Sequence, residues 1–590
     1  MPQSIASNAT APNTNARRKV YDVCIIGSGA GGGTAAKVLT QGGLEVVMLE
    51  AGPRLNPGRD FKEHVWPYEL AHRGADVGAR GRLQMNNEFM APNGFWEIDG
   101  EPYTKASGSD FRWFRSRIEG GRTNHWGRIA LRFGPADFRA RSTDGMGDDW
   151  PISYDEVAPY YDKVEGFIGV FGSKENVPNS PDGVYLPPPK PRCTETIVKK
   201  ACDKLDITCI PSRMAILTKP LNGRPACHYC GECGRGCISA SNFSSSQVMI
   251  PVAAATGRFT MIANAMAYEL VVGKDGKVEA VTYIDKTTRM EHRVYARAFV
   301  VAASACESAR LLLNSRSALY PNGIANSSGV VGRYLTDTVG SSLAGHFPQL
   351  EHVPAHNHDG IGGMHMYMPW WLFGKKNDFL RGYHIEFGGG RGMPGVGGFD
   401  GVNAQFEGYG GALKQKSRGM YGTFIGFSGR GEMIPNEKSY CELDPNVVDK
   451  WGVPVLRFHW QWSENELAMS RHMQATFKSI IEAAGGTVYG GPRRRDRPTA
   501  AVVGASPEIE SGVISTGGEI IHEAGTIRMG NDPKRSVLNK HSQAHEVKNL
   551  FVADAAPFVT NPDKNPTVTI MALSWRASDY LIEQAKRGDL

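Results

Sequence analysis

The sequence predicts an α/β protein: a Rossmann-like dinucleotide-binding domain with an inserted α+β domain on a mostly antiparallel sheet. Three observations carry this. Residues 21–52 alternate apolar strand, glycine-rich turn, small-residue helix and second strand. Buried-type strands recur at Ala298–Ala303 and Leu550–Ala553. Between about 340 and 500, glycine-rich loops alternate with strand-like segments. With 590 residues, the chain exceeds one ordinary core, so two intimately joined domains are expected.

The first element is the strand Tyr21–Ile26, in which Cys24 reads as a packing residue. Gly27-Ser-Gly29-Ala-Gly-Gly32 follows, then a helix over Thr34–Gln41 and a strand over Glu45–Leu49 ending at Glu50-Ala51-Gly52. G-x-G-x-x-G inside a βαβ unit is a dinucleotide fingerprint. Gly27 permits the tight turn, Gly29 lets the backbone approach a pyrophosphate, and Gly32 allows helix and strand to pack closely. The helix N-terminus faces the phosphates, and Glu50 would accept hydrogen bonds from ribose hydroxyls. The unit alone leaves FAD and NAD open.

Arg117–Gly127 (RIEGGRTNHWG) pairs two glycines with a polar–aromatic cluster, suited to closing over a flat cofactor. Residues 151–245 read as proline-rich and irregular. They hold Cys227, Cys230, Cys233 and Cys237, spaced C-x2-C-x2-C-x3-C. This is the spacing of a bacterial-ferredoxin-type iron–sulfur run, with Ile238 where proline usually follows. Tetrathiolate zinc would use the same thiols but usually takes two separated knuckles. Disulfides in an oxidising compartment are the third reading. The spacing favours an iron–sulfur cluster, 3Fe-4S or 4Fe-4S.

Phe259–Ile262, Ala267–Val272 and Val278–Ile284 read as a meander, and Cys306–Asn314 as a helix. Further on, Tyr421–Phe427 and Val455–Trp462 read as strands and Glu464–Ala484 as a helix. Trp370, Trp371, Tyr383, His384 and Gln405 are of types that suit sugar recognition and equally suit ordinary cores. Near the end come His522-Glu-Ala-Gly-Thr526, Asp554, and Asn565-Pro-Thr567 opening a helix to Leu581. Asn565 is expected to cap that helix and to reach a site.

A net charge of +6 is mild for this length and implies neither a nucleic-acid partner nor a membrane surface. No run approaches the length of a transmembrane helix. The first ~18 residues read as a disordered lead-in. Arg17-Arg18 lacks the apolar stretch of an export signal.

The chain resembles the glucose–methanol–choline (GMC) oxidoreductases. The resemblance rests on the glycine turn with Glu50, Gly120-Gly-Arg-Thr-Asn-His-Trp126, Ala302–Leu313, His522-x-x-Gly-Thr and Asn565-Pro-Thr567. It implies FAD, bound by a discontinuous domain (19–145, 246–338 and 501–590), with a cluster-bearing insertion at 146–245 and a substrate domain at 339–500. It implies flavin contacts at Ala51, Gly121, Asn124, His125, Trp126, Ala267, Asp554, Pro566 and Thr567. It implies His522 as the base that takes a hydroxyl proton while hydride leaves the same carbon, with Asn565 orienting that hydroxyl. In fungal pyranose oxidases the histidine matching His125 is bonded to the flavin. Here Asn124 precedes it, and non-covalent FAD is expected. Ala305-Cys306 departs from the usual Ala-Gly-Ala.

The cysteine loop and the His/Asn pair look like the bacterial dehydrogenase catalytic subunits, namely glucoside 3-dehydrogenases, gluconate 2-dehydrogenases and FAD–glucose or fructose dehydrogenases, and the His/Asn segments also resemble pyranose oxidases. The implied activity is oxidation of a secondary hydroxyl of a sugar or glycoside, with C3 as one candidate. The implied partners are a small accessory subunit carrying the export signal and a c-type cytochrome, at a periplasmic site. A cytoplasmic enzyme is the alternative location. An oxygen-using pyranose or glycoside oxidase is the second functional reading, and a non-catalytic electron-transfer subunit the third.

Overall fold

A computed structural model describes residues 19–66, 69, 91–351, 353, 360–390, 408–489 and 513–589. The lead-in and Gln405 lie outside the described residues. The central sheet runs Phe259–Ile262, Val46–Leu49, Val20–Ile26, Glu291–Val301, Val278–Asp285, Ala265–Val272, and Leu550–Val552 also pairs with Glu291–Val301. Val20–Ile26 is parallel to both neighbours, and Leu550–Val552 is parallel to Glu291–Val301. Segments far apart in sequence thus present the C-terminal ends of their strands along one edge, where open α/β sheets bind ligands.

The helix over Ala30–Gln41 begins four residues before the expected Thr34. Its glycines are there for contact. A Cβ on Gly31 would collide with the Ala553 carbonyl, and one on Gly32 with the Gly27 carbonyl. Gly27 has φ +99°, a turn conformation L side chains rarely adopt. Helix Thr567–Arg587 packs against Ala30–Gln41 and Tyr154–Ile168, with Ser574 Oγ donating to Gly31 O at 2.7 Å.

Two sequence expectations are corrected. Phe259–Ile262 is not part of the meander; it pairs in parallel with Val46–Leu49 at the far edge. The backbone breaks at Asn264, φ 55°, so the meander starts at Ala265. The 151–245 stretch is also less irregular than its prolines suggest: it contains helices Tyr154–Ile168 and Cys193–Lys204. Ser153 and Glu156 form a capping box, and Val157, Tyr161, Val164 and Ile168 form a buried stripe. That stripe outweighs the cost of Pro159 inside the helix.

A second sheet is antiparallel throughout, in the order Thr487–Tyr489, Val339–His346, Phe424–Gly431, Tyr383–Gly389, Met366–Met368, Ile210–Pro211. Its last strand comes from the cysteine-bearing stretch. Helix Glu464–Ala483 covers it with Met469, Met473, Phe477, Ile480 and Ile481. A third sheet joins Tyr440–Val448, Pro454–His459 and Thr104–Lys105. No described helix is long and apolar enough to cross a membrane.

Candidate active site

A cavity of about 450 Å³ opens where the parallel strands end and the antiparallel sheet approaches. Gly27, Gly29, Glu50, Ala51 and Ala267 line one part of it, and His522, Asn565, Pro566 and Thr567 another. A Cβ built on Gly29 would meet nothing within 4 Å, so the turn leaves room for a bulky group against its backbone. Glu50 is buried and receives Gly52 N at 2.7 Å and the hydroxyl of Ser28. Burial raises its pKa. One elongated group with a ribose at one end and a redox ring at the other fits these residues.

Gly121, Arg122, Thr123, His125 and Trp126 line the cavity; Asn124 does not. Its amide donates to Glu119 O at 2.9 Å and Gly121 O at 3.1 Å and its oxygen accepts from Ser246, so it holds the turn that carries its neighbours. Gly32 is likewise buried inside the turn rather than exposed to the cavity. His125 contacts Ser116 Oγ through Nε2 at 3.2 Å. Burial, with Arg128 and Arg122, lowers its pKa to about 3. Asp554 accepts from Ala556 N at 2.7 Å and Ser304 N at 3.1 Å, and burial raises its pKa to about 6. Ser304 has φ +88° and Ile521 φ +66°. Both line the cavity, and such strain in non-glycine residues gathers at functional sites.

His522 is fixed on three sides. Its N–H donates to Asp337 Oδ1 at 2.9 Å, its carbonyl accepts from Asn561 Nδ2 at 2.9 Å, and Nδ1 meets Thr338 Oγ1 at 2.9 Å. Nε2 is the nitrogen left for a ligand. Burial and then Arg430 lower its pKa to about 3, against the pull of Glu386. The ring is neutral, as a base must be before it takes a proton. Flavin reduction should therefore stay level as pH falls from about 8 to about 5, where a free imidazole would lose function below about 6.5. Rapid-mixing rates across that range check this; an acid limb that is centred near 6.5 and vanishes in His522→Asn would contradict it.

Asn565 is not the helix cap. Pro566 occupies that position without a side-chain cap bond. Asn565 Nδ2 instead reaches Glu386 Oε1 at 3.4 Å. Glu386, on Tyr383–Gly389, also meets His384 Nε2 at 3.2 Å and Arg430 Nη2 at 3.3 Å. Burial works to raise its pKa, but Arg430 and His384 prevail and hold it at about 2. Glu386 and Arg430 line the cavity beside His522, and no sequence motif announced them. Arg122 pairs with Glu523, joining the glycine turn at 120–121 to the His522 segment; both residues sit inside motifs already singled out.

The aromatic candidates are corrected. Trp370, Trp371 and Tyr383 pack with Phe379 and His472. The Tyr383 hydroxyl is engaged by His472 and Thr476. None of the three lines the cavity. His384 does not line the cavity either; its Nδ1 meets the Asp563 carbonyl and its Nε2 meets Glu386 Oε1 at 3.2 Å.

Cys227, Cys230 and Cys233 are half-buried, Cys237 is buried, and none is in a disulfide. The loop reaches the surface, with Tyr229 and Ile238 exposed. No three of its sulfurs lie within 4.8 Å of one another. Burial raises the Cys227, Cys230 and Cys233 pKa values, that of Cys230 to about 12. Such thiols ionise when a cation compensates them. Arg128 acts electrostatically on Cys233 and Cys237 and donates to Asn124 O at 3.2 Å, which ties the loop to the cavity-lining turn. On the outer side, ligand atoms of His228, His64 and Glu63 lie within 4.8 Å of one another.

Two profiles of the GMC oxidoreductase family match residues 142–346 and 435–574. The chain is 31% identical to the 2-methyl-1,2-propanediol dehydrogenase of Mycolicibacterium austroafricanum, over 95% of each chain. It is 26% identical to the fructose dehydrogenase large subunit of Gluconobacter japonicus, over 96% of this chain and 98% of that one. Among solved structures, a formate oxidase from Aspergillus oryzae superposes with a TM-score of 0.62 at 14% identity, covering 97% of this chain and 99% of that one. The chain belongs to the GMC oxidoreductase family: it is an FAD-dependent oxidoreductase acting on CH–OH donors.

Proposed function

We propose that this GMC oxidoreductase is a dehydrogenase for a secondary hydroxyl of a sugar or related polyol, and that its electrons leave through an iron–sulfur cluster on Cys227, Cys230, Cys233 and Cys237. The observation that carries the reading is the neutral, anchored His522, whose free Nε2 shares one cavity with Asn565 and the glycine turn. His522 takes the hydroxyl proton; bound FAD supplies the hydride acceptor. Arg122 and Glu523 clamp the 521–523 segment to the flavin-side turn, so the base is held where the hydroxyl must sit.

Relatives named as a fructose dehydrogenase large subunit and a gluconate 2-dehydrogenase flavoprotein support the substrate class. The first name also supports a partner subunit. We extend the proposal to a small export-bearing accessory subunit, a c-type cytochrome acceptor and a periplasmic site. C-glycoside 3-oxidases among the relatives keep C3 as a candidate position and an oxygen-using oxidase as the second reading. The surface-reaching cysteine loop favours the dehydrogenase.

The test is anaerobic addition of sugars and polyols to the purified enzyme, with iron and acid-labile sulfide assayed. Bleaching of the flavin, faster turnover with a dye acceptor than with oxygen, and bound iron are expected. An iron-free enzyme that turns over as fast with oxygen would give the oxidase reading; no bleaching by any sugar or polyol would remove the substrate class.

A further inference from the structure

Away from the cavity, the segment 61–65 lies across the cysteine loop and is pinned to it. Lys62 N donates to Arg235 O at 3.2 Å, Arg235 Nη1 to Val65 O at 3.0 Å, and Ile238 N to Glu63 Oε1 at 2.7 Å. The Phe61 ring fills the space that a side chain on Gly236 would take, and Gly236 has φ +108°. Segment and loop therefore form one packed unit, although distant in sequence.

This packing brings two histidines together over a carboxylate. His64, from the segment, and His228, between Cys227 and Cys230, have ring centroids 5.2 Å apart. The Glu63 side chain is buried, with His64 Nε2 3.5 Å from its Oε1. Among the described residues, His64 is its only ion-pair partner. Glu63 also acts electrostatically on Cys230 and Cys233, where thiolates would carry charge of the same sign. Burying a carboxylate in such surroundings is costly unless a cation accompanies it. One ligand atom from each of Glu63, His64 and His228 lies within 4.8 Å of the other two.

Two imidazoles and a carboxylate are a zinc donor set that leaves a fourth position for water. Magnesium and calcium take oxygen donors instead. Bonds of about 2.0–2.2 Å would set the three ligands about 3.4 Å apart. Both histidines are exposed, so rotation of their side chains closes that gap while the backbone stays in place. The Ile238 N–H orients the carboxylate from behind, as an outer hydrogen bond does for a metal ligand.

We propose that Glu63, His64 and His228 form a site for a divalent transition-metal cation, Zn2+ above all, which clasps the segment 61–65 to the cysteine loop. The site is distinct from the four thiols and does not depend on what they hold.

The experiment is calorimetric titration of the FAD-loaded enzyme with Zn2+, with iron and flavin assayed on the same preparation. Wild type should bind one Zn2+ per chain with a micromolar Kd that millimolar Mg2+ leaves unchanged. His64→Ala and His228→Ala remove exposed side chains, so the fold should survive, and each should weaken binding by about 100-fold or more, beyond what outer-sphere changes cost. Glu63→Gln keeps an oxygen for the Ile238 N–H and removes the charge; it should weaken binding by about tenfold or more. Zinc-edge X-ray absorption should show nitrogen and oxygen neighbours at about 2.0–2.2 Å rather than sulfur at about 2.3 Å. Equal binding in wild type and both histidine variants would mark an adventitious ion only and overturn the site. A millimolar Kd in wild type, or a shell of sulfur alone, would overturn it as well. An iron-free enzyme that takes a second, sulfur-bound zinc would count against the iron–sulfur relay, and the histidine-dependent ion would still decide the clasp.

Discussion

His522→Ala should lower substrate-dependent flavin reduction by about 10²–10⁴-fold, the range a positioned general base supplies, while the enzyme still holds FAD. The ring carries no load in the fold that alanine would not leave in place. Its backbone N–H and carbonyl are held by Asp337 and Asn561, and neither bond involves the imidazole. Only the Thr338 contact is lost. His522→Asn keeps a polar group near Thr338 but offers no comparable base, so it should be nearly as slow. Single-turnover bleaching with saturating substrate separates loss of chemistry from loss of binding. Reduction within about threefold of wild type in both variants would take His522 out of the proton transfer, and the base would have to be sought in Glu386, the cavity-lining carboxylate beside it.

Much of this site is legible in the sequence because its residues sit in short local patterns. The glycine turn, Glu50, the His125-Trp126 pair, His522 and Asn565 each lie in a stretch whose spacing is set by the backbone geometry of a strand end or helix start. All but Gly32 and Asn124 among the expected flavin-side residues line the cavity. Those two stand behind the cavity wall for one reason: a motif marks a turn, and a turn needs residues that hold it, the close packing expected of Gly32 included, as well as residues that face outward. Asn124 spends its side-chain hydrogen bonds on the Glu119 and Gly121 carbonyls of its own loop and on the Ser246 hydroxyl.

What could not be read is what depends on strand register. Glu386 is two residues from His384, and His384 is cross-strand from Arg430, but strand pairing over more than forty positions leaves no local signal. Trp370, Trp371 and Tyr383 misled for the complementary reason: residue type alone does not distinguish an aromatic that stacks on a ligand from one that fills a core. The helix Tyr154–Ile168 was hidden by Pro159, although its capping box and its buried stripe were both present in the sequence.

Cys230→Ser should separate the two halves of the enzyme. Cys230 is half-buried, and the Arg128 guanidinium acts electrostatically on Cys233 and Cys237 rather than on it. Its loss should therefore leave the cavity-lining turn in place, and flavin reduction by substrate should stay within about threefold of wild type, less than any lost catalytic group costs. Iron content should fall, since even changes outside the ligand sphere cost metal sites about 10–100-fold in affinity and a missing thiolate costs more. Turnover with a one-electron acceptor should fall with it, by about tenfold or more. Cys233→Ser provides the contrast: Arg128 would face a hydroxyl in place of a thiolate, and because Arg128 also bonds the Asn124 carbonyl, flavin reduction should suffer as well. Iron assay, stopped-flow reduction and steady-state turnover on the same preparations give the comparison. Full iron in every single-cysteine variant, or zinc in its place with unchanged acceptor turnover, would end the relay; the cysteine loop would then be a structural clasp on the flavin-side turn, held by Arg128 from one side and by Gln247, which donates to the Cys237 carbonyl at 2.8 Å, from the other.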